Sequence, residues 1–222
     1  MTSLYQFRQH TEDKQTLPCF VLNQVLDPQN CDDTIKELKD KVQVAQHQHE
    51  SKLSLSQNSD IRDSGVHWFN NPNLSGIIRS VVDLANYEAG WHYDIIDHEF
   101  FQFTKYTKKQ HYGWHTDGNG CHLAARKSAV IHNNDNLQHT RQTNLLGTVR
   151  KISVSAILNE DYEGGDLQFK TLSSMGEEQI STVKGKKGDI IVFPSYINHR
   201  VTPITKGVRY SIVAWFGGPP FK

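Results

Sequence analysis

Apolar residues in this chain follow two rhythms, and the change falls at about Trp91. Before it they recur at helical spacing in two stretches, and after it mainly at alternate positions. The first stretch opens at Asp27-Pro28, an N-cap followed by proline at the first helical position. It predicts a helix running to about Ala45, with Ile35, Leu38 and Val42 on one stripe. The second, Leu74 to about Glu88, carries Ile77, Ile78, Val81, Val82 and Ala85, and Gly90 supplies its stop. Apolar runs at Leu17–Leu22 and Ile61–Phe69 read as strands, the second broken off by Asn71-Pro72-Asn73.

Beyond Trp91 the alternation predicts strands at Ile95–Thr107, Arg150–Asn159, Asp166–Thr171, Gln179–Thr182, Asp189–Phe193, His199–Thr202 and Val208–Phe216. Turns at Glu163-Gly164-Gly165, Gly185-Lys186-Lys187-Gly188 and Thr205-Lys206-Gly207 separate them. Helices followed by many antiparallel-type strands imply a mainly β fold with supporting helices on the outside of a sandwich or barrel. At 222 residues, one domain covering 1–222 is expected. Two polar stretches interrupt the pattern. Gln46–Asp60 buries little and predicts a mobile loop, and Gly118–Thr148 begins one residue after a candidate ligand, which predicts a lid.

Charge narrows the function classes. Lysine plus arginine and aspartate plus glutamate number 24 each, so the phosphate-neutralising excess that nucleic-acid binding draws on is missing. Cys19, Cys31 and Cys121 are too few and too scattered for a disulfide framework or a thiolate zinc site. With no apolar leader and no run of membrane-spanning length, a soluble cytoplasmic protein with no membrane partner is expected.

The chemistry gathers at Tyr112-Gly113-Trp114-His115-Thr116-Asp117. On a strand, side chains at i and i+2 share a face, so His115 and Asp117 can reach one point. With His199 as a distant third partner they make two imidazoles and a carboxylate, the set used by non-haem Fe(II) oxygenases. The last strand adds a second clue. Period two puts Arg209, Ser211, Val213 and Trp215 on one face and Tyr210, Ile212, Ala214 and Phe216 on the other. A buried arginine without a nearby acid in sequence needs a counter-charge, and a carboxylate ligand would supply it.

His115-x-Asp117, distal His199 and Arg209-x-Ser211, ten residues beyond it, together resemble the 2-oxoglutarate- and Fe(II)-dependent dioxygenases, specifically their prolyl-hydroxylase branch. The resemblance runs from Ile61 to Phe216 and implies a double-stranded β-helix (jelly roll), with helical support over 1–90, the core over 91–222 and an inserted loop at 118–148. It implies that His115, Asp117 and His199 hold Fe(II). It also implies that Arg209, assisted by Tyr106 and Ser211, binds 2-oxoglutarate. Tyr112, Arg150 and Trp215 match positions that meet the substrate, and Gln46–Asp60 matches a mobile finger loop. Two departures stand out: Ile157 replaces a cosubstrate-binding tyrosine, whose contact Tyr106 would take over, and the 118–148 insertion has no counterpart. The implied reaction consumes O2 and 2-oxoglutarate, with ascorbate in support, releases succinate and CO2, and hydroxylates an unactivated C–H bond of a prolyl residue in a protein or peptide.

Plainer readings stand beside these. Tyr106 and Tyr112 also suit half-buried strand aromatics, Trp215 suits the core, Arg150 suits a strand-end charge, and His47, His49, His92, His98, His111, His122, His132 and His139 read as solvated. A free amino acid or small metabolite is the alternative substrate, and a catalytically silent binding module is the alternative from another class. A nucleic-acid demethylase would want a second arginine where Trp215 stands, and a zinc hydrolase would leave Arg209 unexplained.

Overall fold

The computed structural model describes residues 4–5, 18–45, 61–118, 125, 130–132, 140–173 and 175–221. In chain order the elements are β1 (Leu4–Tyr5), β2 (Phe20–Leu22), α1 (Pro28–Leu38), β3 (Gln43–Val44), β4 (Arg62–Asp63), β5 (Gly65–Phe69) and α2 (Pro72–Glu88). There follow β6 (Asp97–His98), β7 (Phe101–Tyr106), β8 (His111–His115), β9 (Val130–His132), β10 (Thr140–Gln142), β11 (Val149–Ile157) and β12 (Glu163–Gly164). The last are β13 (Leu167–Leu172), β14 (Glu178–Val183), β15 (Ile190–Pro194), β16 (Asn198–Val201), β17 (Ile204–Lys206) and β18 (Arg209–Gly218).

Both helices start where their caps dictate. Asp27 accepts from the amides of Gln29 and Asn30 ahead of Pro28, and Asn71 accepts from the amide of Leu74 ahead of Pro72. Helix α2 therefore begins two residues before the apolar stripe that predicts it. It ends at Gly90, whose φ of +72° is left-handed and costs glycine little. Helix α1 stops at Leu38 instead of reaching Ala45. Val42 still packs against the core from outside the helix, and Gln43–Val44 pairs with Gly65–Val66, so a sheet edge takes over residues that the stripe assigns to a helix.

The strands form a jelly roll of two facing antiparallel sheets. The larger runs β1-β2-β15-β11-β18-β7-β5-β3, with β6 also paired to β18, and the smaller runs β14-β13-β16-β8-β4. Strands from the first ninety residues thus enter both sheets beside the helical support. Alternation decides which face is buried where. Ile152, Val154, Ala156 and Leu158 together with Ile212, Ala214 and Phe216 pack under Ile78, Val82 and Ala85 of α2. The opposite faces of β11 and β18 point between the sheets, where Ile157, Leu167, Phe169, Ile191 and Phe193 form a second apolar cluster.

Several expected strands differ in detail. Ile61–Phe69 is split by Ser64 into β4 and β5, which join different sheets. Ile95–Thr107 is divided into β6 and β7, because residues 99 and 100 leave the ladder. Within the expected lid, β9 and β10 pair as an antiparallel ribbon and Leu145 is buried. Most of that stretch, and all of the expected finger loop at residues 46–60, lie outside the described residues. No helix among the described residues is long and apolar enough to cross a membrane.

Candidate active site

Strands β8 and β16 are neighbours in the smaller sheet, and His115 and His199 are Cα partners across them. His115 ends β8. Asp117 lies beyond the strand, and its amide donates to Ser195 O at 2.9 Å, which turns the carboxylate back toward the imidazoles. The pair that the i, i+2 strand argument joins thus meets through a different backbone path. One carboxylate oxygen lies 3.8 Å from His115 Nε2 and the other 3.6 Å from His199 Nε2. The ligating atoms of the three residues fall within 4.8 Å of one another, a triangle wide enough to admit one cation.

The chain fixes the state of each group. His115 Nδ1 is 2.8 Å from Gly113 O and His199 Nδ1 is 2.8 Å from Ile197 O. When Nδ1–H donates to these carbonyls, the Nε2 lone pairs are left facing the triangle. Gly113 itself lies against the backbone of Ile61: its amide donates to Ile61 O at 2.7 Å, and a Cβ there would come within 3.3 Å of the same oxygen. Burial, reinforced by His199, pushes His115 down to about 3, which keeps it neutral. For Asp117 burial acts upward but is outweighed by His199, His115, Arg150 and a hydrogen bond from Ser153, and the carboxyl falls to about 2. Ser153 Oγ donates to Asp117 Oδ2 at 2.7 Å and lies 2.8 Å from Ser195 Oγ. Two imidazoles, that of His115 held neutral, facing an anionic carboxylate are a donor set that suits a divalent cation.

Arg209 opens β18 and faces the same cavity, with 2% of its surface exposed. Its Nη1 donates to Ser211 Oγ at 2.8 Å and its guanidinium carbon lies 5.7 Å from the Tyr106 ring centre, whereas its buried Nε has no partner. Among the described residues no carboxylate pairs with it. A buried guanidinium with an unused donor fits a carboxylate ligand entering from the cavity. Trp215 Nε1, on the same face of the strand, is likewise buried without a partner.

The cavity gathers Tyr106, Tyr112, His115, Asp117, His199, Arg209, Ser211 and Trp215 along one wall system. Tyr112 stacks on His115 with ring centres 3.4 Å apart, and the Arg62 guanidinium carbon lies 4.6 Å from the Tyr112 ring centre. Burial raises the Tyr112 phenol to about 12, so it stays protonated. Arg150 lies one layer back. Its guanidinium carbon sits 4.1 Å from the Trp215 ring centre, and both its Nε and Nη2 are taken by Glu99. Ser153, Ser195, Arg62, Gln102 and Glu99 escaped the sequence reading. Ser153 had a signal in the alternation of Ile152-Ser153-Val154-Ser155-Ala156, but Glu99 and Ser195 had none.

Residues 101–217 match the family described as the 2OG-Fe(II) oxygenase superfamily. A PKHD-type hydroxylase of Alteromonas mediterranea is 32% identical over 113 residues, which is 51% of this chain and 41% of that protein. A PKHD-type hydroxylase of a Synechococcus strain is 43% identical over 56 residues, 25% of this chain and 23% of that protein. The aligned stretches therefore span less than half the length of these relatives. Among solved structures, a prolyl hydroxylase of Trichoplax adhaerens, in complex with a hypoxia inducible factor peptide fragment, superposes with a TM-score of 0.62 at 16% identity, covering 90% of this chain and 83% of the other. A Pseudomonas putida prolyl-4-hydroxylase gives 0.58 at 17% identity, covering 90% and 92%. At such identities these likenesses speak for the fold.

Proposed function

Since the chain belongs to the 2OG-Fe(II) oxygenase superfamily, we propose that residues 1–222 act as one cytoplasmic domain that hydroxylates a prolyl residue in a protein or peptide. The observation that carries this reading is one cavity holding both a triangle of two imidazoles and a carboxylate and a buried arginine with an unused donor. His115, Asp117 and His199 would hold Fe(II). Arg209, with Ser211 and Tyr106, would hold the distal carboxylate of 2-oxoglutarate. When bound, Fe(II), 2-oxoglutarate and O2, with ascorbate as supporting reductant, supply an oxidant for the C–H bond as succinate and CO2 are formed.

The chain supplies placement and dryness. Backbone carbonyls of Gly113 and Ile197 orient the imidazoles, and Ser153 steadies the carboxylate. The apolar side chains of Leu167, Phe193, Val201 and Val213 line the same cavity and make its wall unfavourable to water. Tyr112 and Trp215, with Arg150 stacked behind the indole, form the wall assigned to the target proline. A proline-bearing peptide is favoured because a neutral ring suits that flat aromatic wall, and because the Trichoplax structure holds a peptide fragment.

The test is incubation with Fe(II), ascorbate and 2-oxoglutarate on proteins of the native host, read by mass spectrometry for one added oxygen on proline. Succinate released in step with that oxygen supports the proposal. Hydroxylation confined to small molecules, or no iron-dependent binding of 2-oxoglutarate in calorimetry, overturns it.

A further inference from the structure

Besides Arg209, two guanidinium groups stand at the site, Arg62 in the cavity lining and Arg150 one layer back against Trp215, and both are committed to partners inside the chain. Arg62 donates from Nε to Ser64 Oγ at 2.9 Å and from Nη2 to Gln102 Oε1 at 2.8 Å. Arg150 is held more firmly. Its Nε donates to one oxygen of Glu99 at 2.6 Å and its Nη2 to the other at 2.7 Å, the two-pronged geometry in which arginine recognises a carboxylate. Glu99 is 2% exposed, whereas the Arg150 side chain keeps 21% of its surface open. The acid is also anchored to the wall it serves, because its amide donates to the carbonyl of Trp215 at 2.9 Å. Trp215 in turn lies tilted against Trp68 with ring centres 5.6 Å apart. Burial works against the charge on Arg150, and the charge and hydrogen bond of Glu99 outweigh it, so Arg150 is held above its ordinary value and stays charged.

This arrangement bears on what the site accepts. A free amino acid, or any small acid, brings a carboxylate close to the carbon that reacts. A guanidinium behind the cavity wall would attract it, and here a built-in carboxylate already pairs with that guanidinium. A second carboxylate would have to displace Glu99 or sit beside it against like-charge repulsion. We propose that Glu99 is a specificity-determining residue: by occupying both prongs of Arg150 it leaves the wall beside the triangle neutral, so the reacting residue enters with its carboxylate masked as an amide. This rests on the oxygenase reading above and narrows its substrate to a residue within a chain, excluding the free amino acid.

The test compares N-acetyl-L-proline with N-acetyl-L-prolinamide, which differ at this wall only in the carboxylate. Binding is read by quenching of tryptophan fluorescence in the full chain with Fe(II) and 2-oxoglutarate under anaerobic conditions. The wild type is expected to favour the amide. Glu99→Gln, which keeps the shape and removes the charge, is expected to shift the preference toward the acid by about tenfold or more. The double variant Glu99→Gln with Arg150→Met should lose that gain. Should Glu99→Gln fold poorly, Glu99→Asp, which keeps the charge on a shorter arm, is expected to give a smaller shift in the same direction. A wild type that takes the acid as well as the amide, variants with no shift, or binding of neither ligand in any of them overturns the proposal. Iron-dependent binding of 2-oxoglutarate, measured by calorimetry on the wild type, tests the oxygenase reading separately, so the two failures are told apart.

Discussion

His115 and His199 are Cα partners across β8 and β16, and each ring nitrogen Nδ1 lies 2.8 Å from the carbonyl oxygen two residues earlier in the chain. The two imidazoles are thus oriented by the same local device on two separate strands. Each needs only its own backbone for its tautomer, and each needs the other strand to meet its counterpart. The triangle is therefore organised before any cation arrives, which lowers the cost of binding one.

Replacing His199 with Ala removes one corner of that triangle while the strand ladder around it remains. Iron binding should fall below detection and turnover with it. The melting temperature of the metal-free protein should stay within a few degrees of the wild type, since the bond that His199 makes is to the backbone of its own segment and the strand ladder does not depend on it. Metal titration and thermal unfolding measure the two quantities, and retained iron at full stoichiometry would remove His199 from the site.

Ser153 acts one step out. Its hydroxyl donates to Asp117 Oδ2 and bridges to Ser195, so Ser153→Ala leaves a carboxylate oxygen without its orienting partner. Iron affinity is expected to weaken by roughly 10- to 100-fold, with about 1 kcal/mol lost from folding stability. Competition with a calibrated chelator reads the first and urea unfolding the second. An unchanged affinity would mean that Asp117 is held by its backbone alone.

Arg209→Ala should raise the 2-oxoglutarate requirement by roughly 10- to 100-fold, as the loss of a charge-assisted pair dictates. Arg209→Lys should rescue little, because an ammonium lacks the planar fork and cannot reproduce the bond to Ser211 Oγ together with a carboxylate contact. Steady-state kinetics against 2-oxoglutarate at fixed peptide settles the matter, and an unaltered KM in both variants would assign Arg209 a purely structural role.

Acid should destabilise the metal-free protein from near neutrality downward. The folded His115 titrates at about 3, below its ordinary 6.5, so between those values the unfolded chain binds a proton that the folded one refuses. Stability then rises with pH across that window and is lost as pH falls, with a limiting slope of about 1.4 kcal/mol per pH unit. Asp117, lowered from 3.8 to about 2, adds loss of the same sign only within that lower window. Denaturant unfolding at pH 7, 6, 5 and 4 checks this, and a flat profile would show that His115 is not held neutral by burial.

The sequence exposed some features in full and others only as ingredients. Strand β18 was legible residue by residue. Arg209, Ser211, Val213 and Trp215 face the cavity while Ile212, Ala214 and Phe216 enter the core, because a two-residue repeat allows no other division. The end of α1 was not legible, since Val42 satisfies an apolar stripe equally well from a coil beside β3. Glu99 looked like one more charged residue near the start of a strand. Its burial against Arg150, fifty-one positions away, depends on how β6 and β11 both border β18.

By itself the sequence determined periodicity, the capping signals and the residue types that can bind a divalent cation and a carboxylate, because these follow from local geometry and side-chain chemistry. The tertiary structure decided which of those side chains meet. His115 and His199 are brought together by strand pairing, Asp117 by a bond to Ser195 O beyond the strand end, and Arg150 is neutralised by an acid from the link between β6 and β7. Such meetings depend on register and sheet closure, which are set by the burial of the whole apolar pattern at once and are written in no single stretch of it.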